Sequence, residues 1–330
     1  QPEISQGTLQ TIFEFQSMMC ELTGMDVANS GMYDGATALA EAALMACRVT
    51  GRLKVASLDT VNPHWRQVVD TYCEGQHIPQ VSMSRDALAL DDSYACLLVQ
   101  YPTFYGGIDD LSKLAEAAHA AGALLVVAAY LPALGMLKAP GDNGADIVVA
   151  EGQPCGGALS FGGPYVGVFT CREQFIRQLP GRIVGRTKDV DGKTAYVLTL
   201  QTREQHIRRE RATSNICTSQ ALVALGTTVY LTSVGPQGIR EVAELCYHKA
   251  HYLAGRLAEV PGYAIANRGP FFNEFVVTCP LPPADINRAL LDAGIIGGFD
   301  VSDAYPNGLL LCCTELNSRA EIDRLVDLLV

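Results

Sequence analysis

Apolar runs of strand length alternate with segments of helical length through the middle of the chain. The runs ALLVVAA (123–129) and ADIVVA (145–150) are almost entirely apolar, while DDLSKLAEAAHAAG (109–122) begins with acidic residues and ends with glycine. Strands that are apolar on both faces belong to a sheet covered by helices on both sides. The alternation therefore predicts an α/β fold with a mainly parallel sheet flanked by helices. The other predicted strands are 53–58, 81–83, 94–102 and 164–170, with a further helix at 62–75.

A second unit is predicted after the helical stretch 218–260. A chain of 330 residues exceeds the size, about 250–300 residues, above which single cores tend to split. We therefore predict a large α/β domain over 1–240 and a small C-terminal α/β domain over 241–330. The small domain has predicted strands at 264–268, 271–279 and 308–315 and predicted helices at 282–294 and 318–330.

Composition and charge restrict the compartment and the classes of partner. The net charge of −11 argues against general binding to nucleic acids or to anionic membranes. No run reaches the roughly 18 apolar residues of a transmembrane helix, and no signal-peptide pattern occurs. The eleven cysteines form no CxxC pair, so they are interpreted as small buried hydrophobic residues in a reducing compartment. Together these features predict a globular cytoplasmic protein.

The segment SGMYDGATALAEAALMA (30–46) contains a candidate phosphate site. Gly31, Gly35 and Thr37 lie at the opening of a predicted helix, where free N–H groups and the helix dipole favour an anion. The alternative is an ordinary helix start capped by Asp34. The segment lacks the lysine of GxxxxGK[ST] and contains no GxGxxG, which argues against a nucleotide-binding α/β enzyme.

A phosphate site at a helix start, a parallel sheet and a small C-terminal α/β domain together are typical of pyridoxal-phosphate enzymes. That cofactor needs a lysine for its Schiff base, an acid for its pyridine nitrogen and donors for its phosphate. Strand 123–129 is followed by Tyr130 instead of an acid, and strand 145–150 is followed by EGQPCGG, which has no lysine. Lys138 precedes that second strand and lies on its wrong side. Two of the three groups are therefore missing.

Long segments resemble the α subunit (subunit 1) of two-subunit glycine decarboxylases, the P-proteins of the glycine cleavage system. The likeness extends from the first residue to the last. The segments that carry it are QPEISQGTLQTIFEFQSMMCELTGMDVANSGMYDGATALAEA (1–42), QYPTFYGG (100–107), KAPGDNGADIVVAEGQP (138–154), SFGGPYVGVF (160–169), RQLPGRIVGRT (177–187), LTLQTREQHIRRERATSNICT (198–218) and PFFNEFVV (270–277).

The resemblance implies the fold of pyridoxal-phosphate-dependent transferases, fold type I. It also implies a β subunit (subunit 2) that carries the cofactor lysine and binds pyridoxal phosphate covalently, whereas the α chain binds none covalently. With that partner, the α chain would decarboxylate glycine and transfer the aminomethyl group to the lipoyl group of the H-protein. The α chain is not expected to be active alone.

Two features of this sequence differ from what the resemblance implies. Family chains begin well upstream of Gln1, so an N-terminal portion is expected to be missing. The α chain commonly has Asp where Tyr130 stands here, although an acid is not needed at that position if no cofactor sits in this subunit. The segment EGQP stands in place of the lysine loop, and no catalytic residue or metal ligand is assigned to this chain.

Enzymes of this fold build active sites at a dimer interface, so loops of this chain are candidates to reach the partner's cofactor. Thr213, Ser214 and Asn215 are small donors that follow a basic helix and suit a phosphate across an interface. The alternative is that they cap the helix that follows. Tyr101, Thr103 and Tyr105 follow a parallel strand where ligands gather in open sheets, or else they pack an interface.

Two further groups of residues are weighed for binding. The basic residues of 182–188 and 203–211 could dock the lipoyl-bearing H-protein, or they form a solvated face with neighbouring acids. His248 and His251 lie three apart on a helix with Glu244 one turn earlier, but no further ligands lie nearby, so no metal site is predicted.

A rival from another class is a non-catalytic scaffold or regulatory protein of the same fold. It would bind a partner and add nothing to the chemistry. The response of a reconstituted complex to substitutions at Thr213, Ser214 and Asn215 separates the two.

Overall fold

The computed structural model describes residues 1–329. The chain forms two compact units, of which the first contains Gln1–Gln100 and Asp110–Pro236 and the second contains Tyr101–Asp109 and the residues from Gln237 onward. The sequence-based boundary at residue 240 stays a prediction. The assignment of 101–109 to the second unit was not anticipated, because that segment follows a strand of the first unit's sheet.

The first unit contains a seven-stranded sheet in the order β1-β7-β6-β5-β4-β2-β3. Strand β2 runs parallel to β3 and β4, and β5 runs parallel to β6, so most of the sheet is parallel as the apolar runs predict. Strand β7 runs antiparallel to β6 and β1, a direction that hydrophobicity alone does not encode. The strands are β1 (Val27–Ala28), β2 (Val55–Leu58), β3 (Gln80–Met83), β4 (Cys96–Tyr101), β5 (Leu124–Ala129), β6 (Ile147–Glu151) and β7 (Gly167–Cys171).

Helices begin and end at the residues that local chemistry favours. Asp34 caps one helix, and Pro63 occupies the first turn of another, where its missing N–H costs nothing. The long α6 is interrupted at Gly235, whose φ of 62° and ψ of −176° are non-helical. The helices of this unit are α1 (Gln6–Thr23), α2 (Gly35–Thr50), α3 (Pro63–Glu74), α4 (Leu111–Ala120), α5 (Gln205–Arg208) and the first part of α6 (Ala221–Ala258). In residues 1–329, no helix has the length and apolar character needed to cross a membrane.

A two-stranded hairpin, β8 (Ile183–Lys188) and β9 (Thr194–Thr199), was missed in the sequence. Two glutamines of α1 bind its backbone as a neighbouring strand would. The side-chain amide of Gln6 accepts from and donates to Tyr196, both at 2.9 Å, and Gln16 does the same with Val184 at 2.9 and 3.0 Å. These contacts explain why Gln16 is buried.

The second unit is an antiparallel four-stranded sheet in the order β10-β11-β13-β12. Its elements are β10 (Ala264–Ile265), β11 (Glu274–Thr278), α7 (Pro283–Asp292), β12 (Phe299–Asp300), β13 (Gly308–Cys312), α8 (Arg319–Asp327) and the second part of α6. Alternate residues of β11 and β13, such as Phe275 and Leu309, pack against apolar residues of all three helices and form its main core.

Segment 101–109 lies against β11 inside the second unit. Ile108 N–H donates to Pro270 O at 3.0 Å and Phe272 N–H donates to Gly106 O at 3.2 Å. Gly106 has a φ of 85°, and a Cβ there would lie 1.8 Å from Glu274 O. Both the backbone angle and the close approach therefore require glycine at this position.

The buried face of α2 contains one acid. Glu41 is 2% exposed, and its Oε2 has no hydrogen-bond partner in residues 1–329. Burial raises the pKa of this carboxyl from its ordinary 4.5 to about 7, although the charge of Arg48 lowers it in part. Folding therefore favours the protonated form of Glu41.

Replacing Glu41 with glutamine should stabilise the chain at alkaline pH. In the unfolded chain this group ionises from about pH 4.5, whereas in the folded chain it ionises only near pH 7, so stability falls as pH rises through this window. The loss reaches about 3 kcal/mol at most, at about 1.4 kcal/mol per pKa unit. Chemical denaturation should show a larger gain for Glu41→Gln at high pH than at low pH.

The matched control is the exposed Glu116→Gln on α4. It should change the free energy of unfolding by no more than about 0.5 kcal/mol at either pH. An equal effect of Glu41→Gln at both pH values would contradict the assigned burial cost.

Candidate functional site

The candidate site lies in the first unit, where β6 ends and α2 begins. Ligands in α/β sheets collect at the carboxyl ends of the parallel strands, and β6 ends there at Glu151. The N-terminus of α2, at Gly35, faces the same place. This is the helix start that the sequence marked as a candidate phosphate site.

Two of the N–H groups at the start of α2, those of Gly35 and Thr37, donate to carboxylates of the chain itself. Asp34 accepts from Thr37 N–H at 2.8 Å, and Thr37 Oγ1 accepts from Asp34 N–H at 3.3 Å, which together form a capping box. Gly35 N–H donates to Glu151 Oε2 at 2.9 Å. The capped helix start is therefore the correct alternative, and Glu151 adds a second anion that the sequence did not reveal.

The loop after β6 holds Glu151 in place. Glu151 Oε1 accepts from Gln153 N–H at 2.9 Å and from Val166 N–H at 3.3 Å. Burial raises the pKa of Glu151, the three backbone N–H groups lower it, and the nearby charge of Asp34 raises it again. A carboxylate with three N–H donors is strongly bound where it stands.

A cavity of about 480 Å³ opens in front of this helix start. Trp65 closes one side, and a Cβ at Gly35 would lie 2.3 Å from its ring. Asp34 and Glu151 line the cavity together with Tyr33, Tyr165 and Gln220, and no basic side chain is part of the described lining. A phosphate dianion would meet two carboxylates here and would find the N–H groups of Gly35 and Thr37 already bonded, so the charges at this site disfavour it.

The other two requirements of pyridoxal phosphate also fail. Residues 152–166, between β6 and β7, contain no lysine and no histidine, and β5 is followed by Tyr130 in place of an acid. The residues present in this chain therefore do not fit the cofactor, and no chemical step is assigned to it here.

The predicted site residues Thr213, Ser214 and Asn215 lie in a loop of the first unit. Thr213 N–H donates to Arg203 O at 3.0 Å, and Ser214 Oγ accepts from Ile216 N–H at 3.3 Å. Asn215 is exposed. Because α6 begins only at Ala221, none of the three caps it, and that alternative is wrong.

The same loop returns to the start of α2. Cys217 N–H donates to the hydroxyl of Tyr33 at 3.3 Å, and Gln220 lines the cavity described above. The loop therefore runs along the rim of the cavity in front of α2. Whether Thr213, Ser214 and Asn215 reach a partner's cofactor stays a prediction.

The aromatic residues after β4 pack within the second unit. The ring centroid of Tyr105 lies 5.2 Å from that of Tyr305, and Phe104 lies 6.0 Å from Phe299. Tyr101 and Thr103 are buried. These contacts favour the packing alternative for this segment over ligand binding.

The basic residues divide into structural and exposed groups. Arg203 is buried, and its guanidinium donates to the carbonyls of Leu200, Leu179 and Gly181. It therefore closes a loop and cannot be part of a docking face. Among the basic residues of segments 182–188 and 203–211, the exposed ones are Arg186, Lys188, Arg208, Arg209 and Arg211.

The histidines on α6 have structural contacts. The ring of His251 stacks on Phe271 at 4.0 Å and contacts Phe271 O at 3.1 Å. No group of three or more metal-ligating side chains occurs in residues 1–329.

The eleven cysteines are free thiols, and most of them are buried.

Comparison with known proteins agrees with this geometry. The family model for the glycine cleavage system P-protein matches residues 1–329. The chain belongs to that family. A curated relative from Thermomicrobium roseum, named probable glycine dehydrogenase (decarboxylating) subunit 1, is 54% identical over 100% of this chain and 77% of its own length. The resemblance noted in the sequence is thereby confirmed.

Solved structures give the same result for the fold. A crystal structure of glycine decarboxylase (P-protein) of the glycine cleavage system, in inhibitor-bound form, matches with a TM-score of 0.97 and 44% identity, covering 100% of this chain and 77% of that one. Glutamate decarboxylase of Lactobacillus brevis matches over 98% of this chain and 79% of its own, with a TM-score of 0.70 and 17% identity, and so shares the fold alone. The fold is type I of the pyridoxal-phosphate enzymes.

We expect the isolated chain not to bind a pyridoxal-type phosphate. Pyridoxine 5′-phosphate is the suitable probe because it lacks the aldehyde and cannot react with surface lysines. Trp65, the only tryptophan, borders the helix start, so its fluorescence reports binding there. Titration should leave the Trp65 emission unchanged at concentrations that saturate ordinary cofactor sites, with Trp65→Phe as the background control. Saturable quenching would show that Glu151 does not block the site.

Proposed function

We propose that this chain is the subunit of a two-subunit glycine decarboxylase that does not bear the cofactor lysine. It works in the glycine cleavage system, as its relatives' names and its family indicate. A relative named subunit 1 implies a second subunit, and that second subunit is the partner of this chain. In this role the chain belongs to an enzyme but has no activity of its own.

The observation that supports this division of roles between the two subunits is the position of the Glu151 carboxylate at the start of α2. Glu151 bonds Gly35 N–H where a cofactor phosphate would have to bind, and no lysine follows β6. The partner subunit therefore binds pyridoxal phosphate and supplies the Schiff-base lysine. This chain supports the partner's site with its fold and its loops.

Two loops are exposed in a way that suits an interface with the partner. Leu159 and Phe161, in the loop after β6, are 73% and 111% exposed, and Leu222 at the start of α6 is 80% exposed. Exposed apolar side chains gain free energy when another chain buries them. Thr213, Ser214 and Asn215 lie in the segment just before Leu222, and we assign them contacts with the partner's cofactor.

Glycine and the lipoyl-bearing H-protein complete the proposed set of partners. Glycine is the substrate of the complex, and the lipoyl group receives the aminomethyl unit. The exposed Arg208, Arg209 and Arg211 suit docking of an acidic surface of the H-protein. The free thiols suit a reducing compartment, so we place the complex in the cytoplasm.

Reconstitution tests the division of roles. The chain alone, incubated with pyridoxal phosphate and freed of unbound cofactor, should keep no visible absorbance of a lysine-bound cofactor and should not exchange bicarbonate with the glycine carboxyl. The same chain with subunit 2 and H-protein should show both. Exchange by this chain without subunit 2 would contradict the assignment.

Alanine substitution of Thr213, Ser214 and Asn215 tests the interface loop. If these donors reach the partner's cofactor phosphate, the triple variant should lower cofactor affinity of the complex about 10-fold or more, since a hydrogen bond to a charged group contributes about 1.5–3 kcal/mol. Equilibrium dialysis of the complex measures this. The control replaces the exposed hydroxyls of Ser17 and Thr71 with alanine and should have no effect. Unchanged affinity and turnover in the triple variant favour a scaffold role.

A further inference from the structure

A small cavity lies in the first unit beside the loop that contains Thr213 and Ser214. It is called the Glu204 cavity here. Its volume is about 10 Å³, which is close to the least that a single water molecule needs. Thr213 and Ser214 border it together with Arg203 and Glu204. The rest of its described lining is Leu179, Pro180, Gly181 and Ile216.

Glu204 is a buried acid at the border of this cavity. Its side chain is 7% exposed, and its Oε1 has no hydrogen-bond partner in residues 1–329. The other oxygen, Oε2, lies 3.5 Å from Arg182 Nε and 3.5 Å from His206 Nδ1. Only Oε2 is therefore paired within the described residues. Because a buried polar atom without a hydrogen bond is costly, Oε1 calls for a donor close to it.

The charges around the cavity favour a neutral ligand. Arg203 is buried, and its guanidinium donates to three backbone carbonyls. Its positive charge and the carboxylate of Glu204 are the two charges of the described lining, so the lining has no net charge. A metal cation would meet the guanidinium, and an anion would meet the carboxylate. A water molecule avoids both repulsions, fits the volume and can donate to Oε1.

The loop contributes hydroxyl groups to the same cavity. Ser214 Oγ accepts from Ile216 N–H at 3.3 Å, and a hydroxyl that accepts one hydrogen bond can still donate another. Thr213 contributes a second hydroxyl, while its backbone N–H donates to Arg203 O at 3.0 Å. A buried water makes about three hydrogen bonds. The carboxylate of Glu204 and these two hydroxyls can supply them.

We propose that Glu204 is a positioning residue for loop 213–216 and acts through one ordered water molecule bound in the Glu204 cavity. The water donates to Glu204 Oε1 and accepts from a hydroxyl of the loop. It adds a side-chain link to the backbone bond between Thr213 and Arg203. The consequence for the partner's cofactor rests on the proposed function, whereas the water site rests on this cavity alone.

A high-resolution crystal structure of the chain tests the water site directly. One water should lie within about 3.2 Å of Glu204 Oε1 and of the hydroxyl of Thr213 or Ser214. The double variant Thr213→Val/Ser214→Ala removes both hydroxyls and should lose that density. A wild-type cavity without a water overturns the proposal, and so does a density that persists unchanged in the double variant.

Two substitutions of Glu204 separate the water from the ion pair. Glu204→Leu removes every polar atom and should expel the water, whereas Glu204→Gln loses the charge but keeps groups that a water can bond. Hydrogen exchange of the Thr213 amide should accelerate about 5-fold or more in Glu204→Leu and stay within about 2-fold of wild type in Glu204→Gln.

The matched control for exchange is Glu210→Gln, which changes an exposed acid of the neighbouring segment and should exchange as the wild type does. If the ion pair with Arg182 and His206 were decisive, Glu204→Gln would accelerate exchange as much as Glu204→Leu. That result overturns the proposal. Should Glu204→Leu fail to fold, the double variant Thr213→Val/Ser214→Ala supplies the same comparison through exchange of the Ile216 amide.

The complex with subunit 2 tests the consequence for the cofactor. Glu204→Leu should lower the cofactor affinity of the complex about 3- to 10-fold, the effect of one neutral hydrogen bond, while Glu204→Gln and Glu210→Gln should keep it. Equilibrium dialysis measures this. If Glu204→Leu accelerates exchange but leaves affinity unchanged, the role of the loop in the proposed function fails and the positioning stands. If the triple alanine variant lowers affinity while Glu204→Leu changes neither exchange nor affinity, the positioning fails and the proposed function stands.

Discussion

The hydrogen bond between Glu151 and Gly35 determines what the first unit can bind. It joins the carboxyl end of β6 to the N-terminus of α2 at 2.9 Å, and the helix dipole strengthens it. The same carboxylate accepts from Gln153 and Val166, so it also orders the loop between β6 and β7. A phosphate bound at Gly35 N–H would have to displace this carboxylate, which would leave three backbone donors to be satisfied anew. The strand end, the helix start and the loop are therefore held together by the hydrogen bonds of one side chain.

The first unit has the fold of pyridoxal-phosphate enzymes, but carboxylates occupy the helix start at the end of β6. The loop after β6 and the start of α6 carry exposed apolar residues, among them Phe161 and Leu222. Those side chains are unfavourable in water and favourable against another chain. The geometry is thus consistent with a subunit whose contribution lies in the surface that it offers to its partner. The rigid sheet beneath keeps these loops in position.

Much of the fold could be predicted from local pattern. Strands β5 and β6 are recognisable because they are short runs that are apolar on both faces, and the helices because capping residues mark their ends. The direction of β7 could not be predicted, since hydrophobicity does not distinguish parallel from antiparallel pairing. The hairpin β8–β9 was missed because it is rich in polar residues and depends on Gln6 and Gln16, far away in sequence. Segment 101–109 joins the second unit through Gly106, a contact that no local signal encodes.

Only part of the candidate site could be predicted from the sequence. The missing lysine after β6 was visible, but the filled helix start was not, because Glu151 and Gly35 are 116 residues apart. An acid at a strand end followed by a lysine-free loop is the signal that could have suggested it. The carboxylate of Glu151 accepts from three backbone N–H groups, which lower its pKa while burial raises it. A partly buried carboxylate persists at a cost unless hydrogen bonds balance its charge. For Glu151 that balance comes from the backbone of its own loop and of α2, and it occupies the Gly35 N–H that a phosphate at this helix start would use.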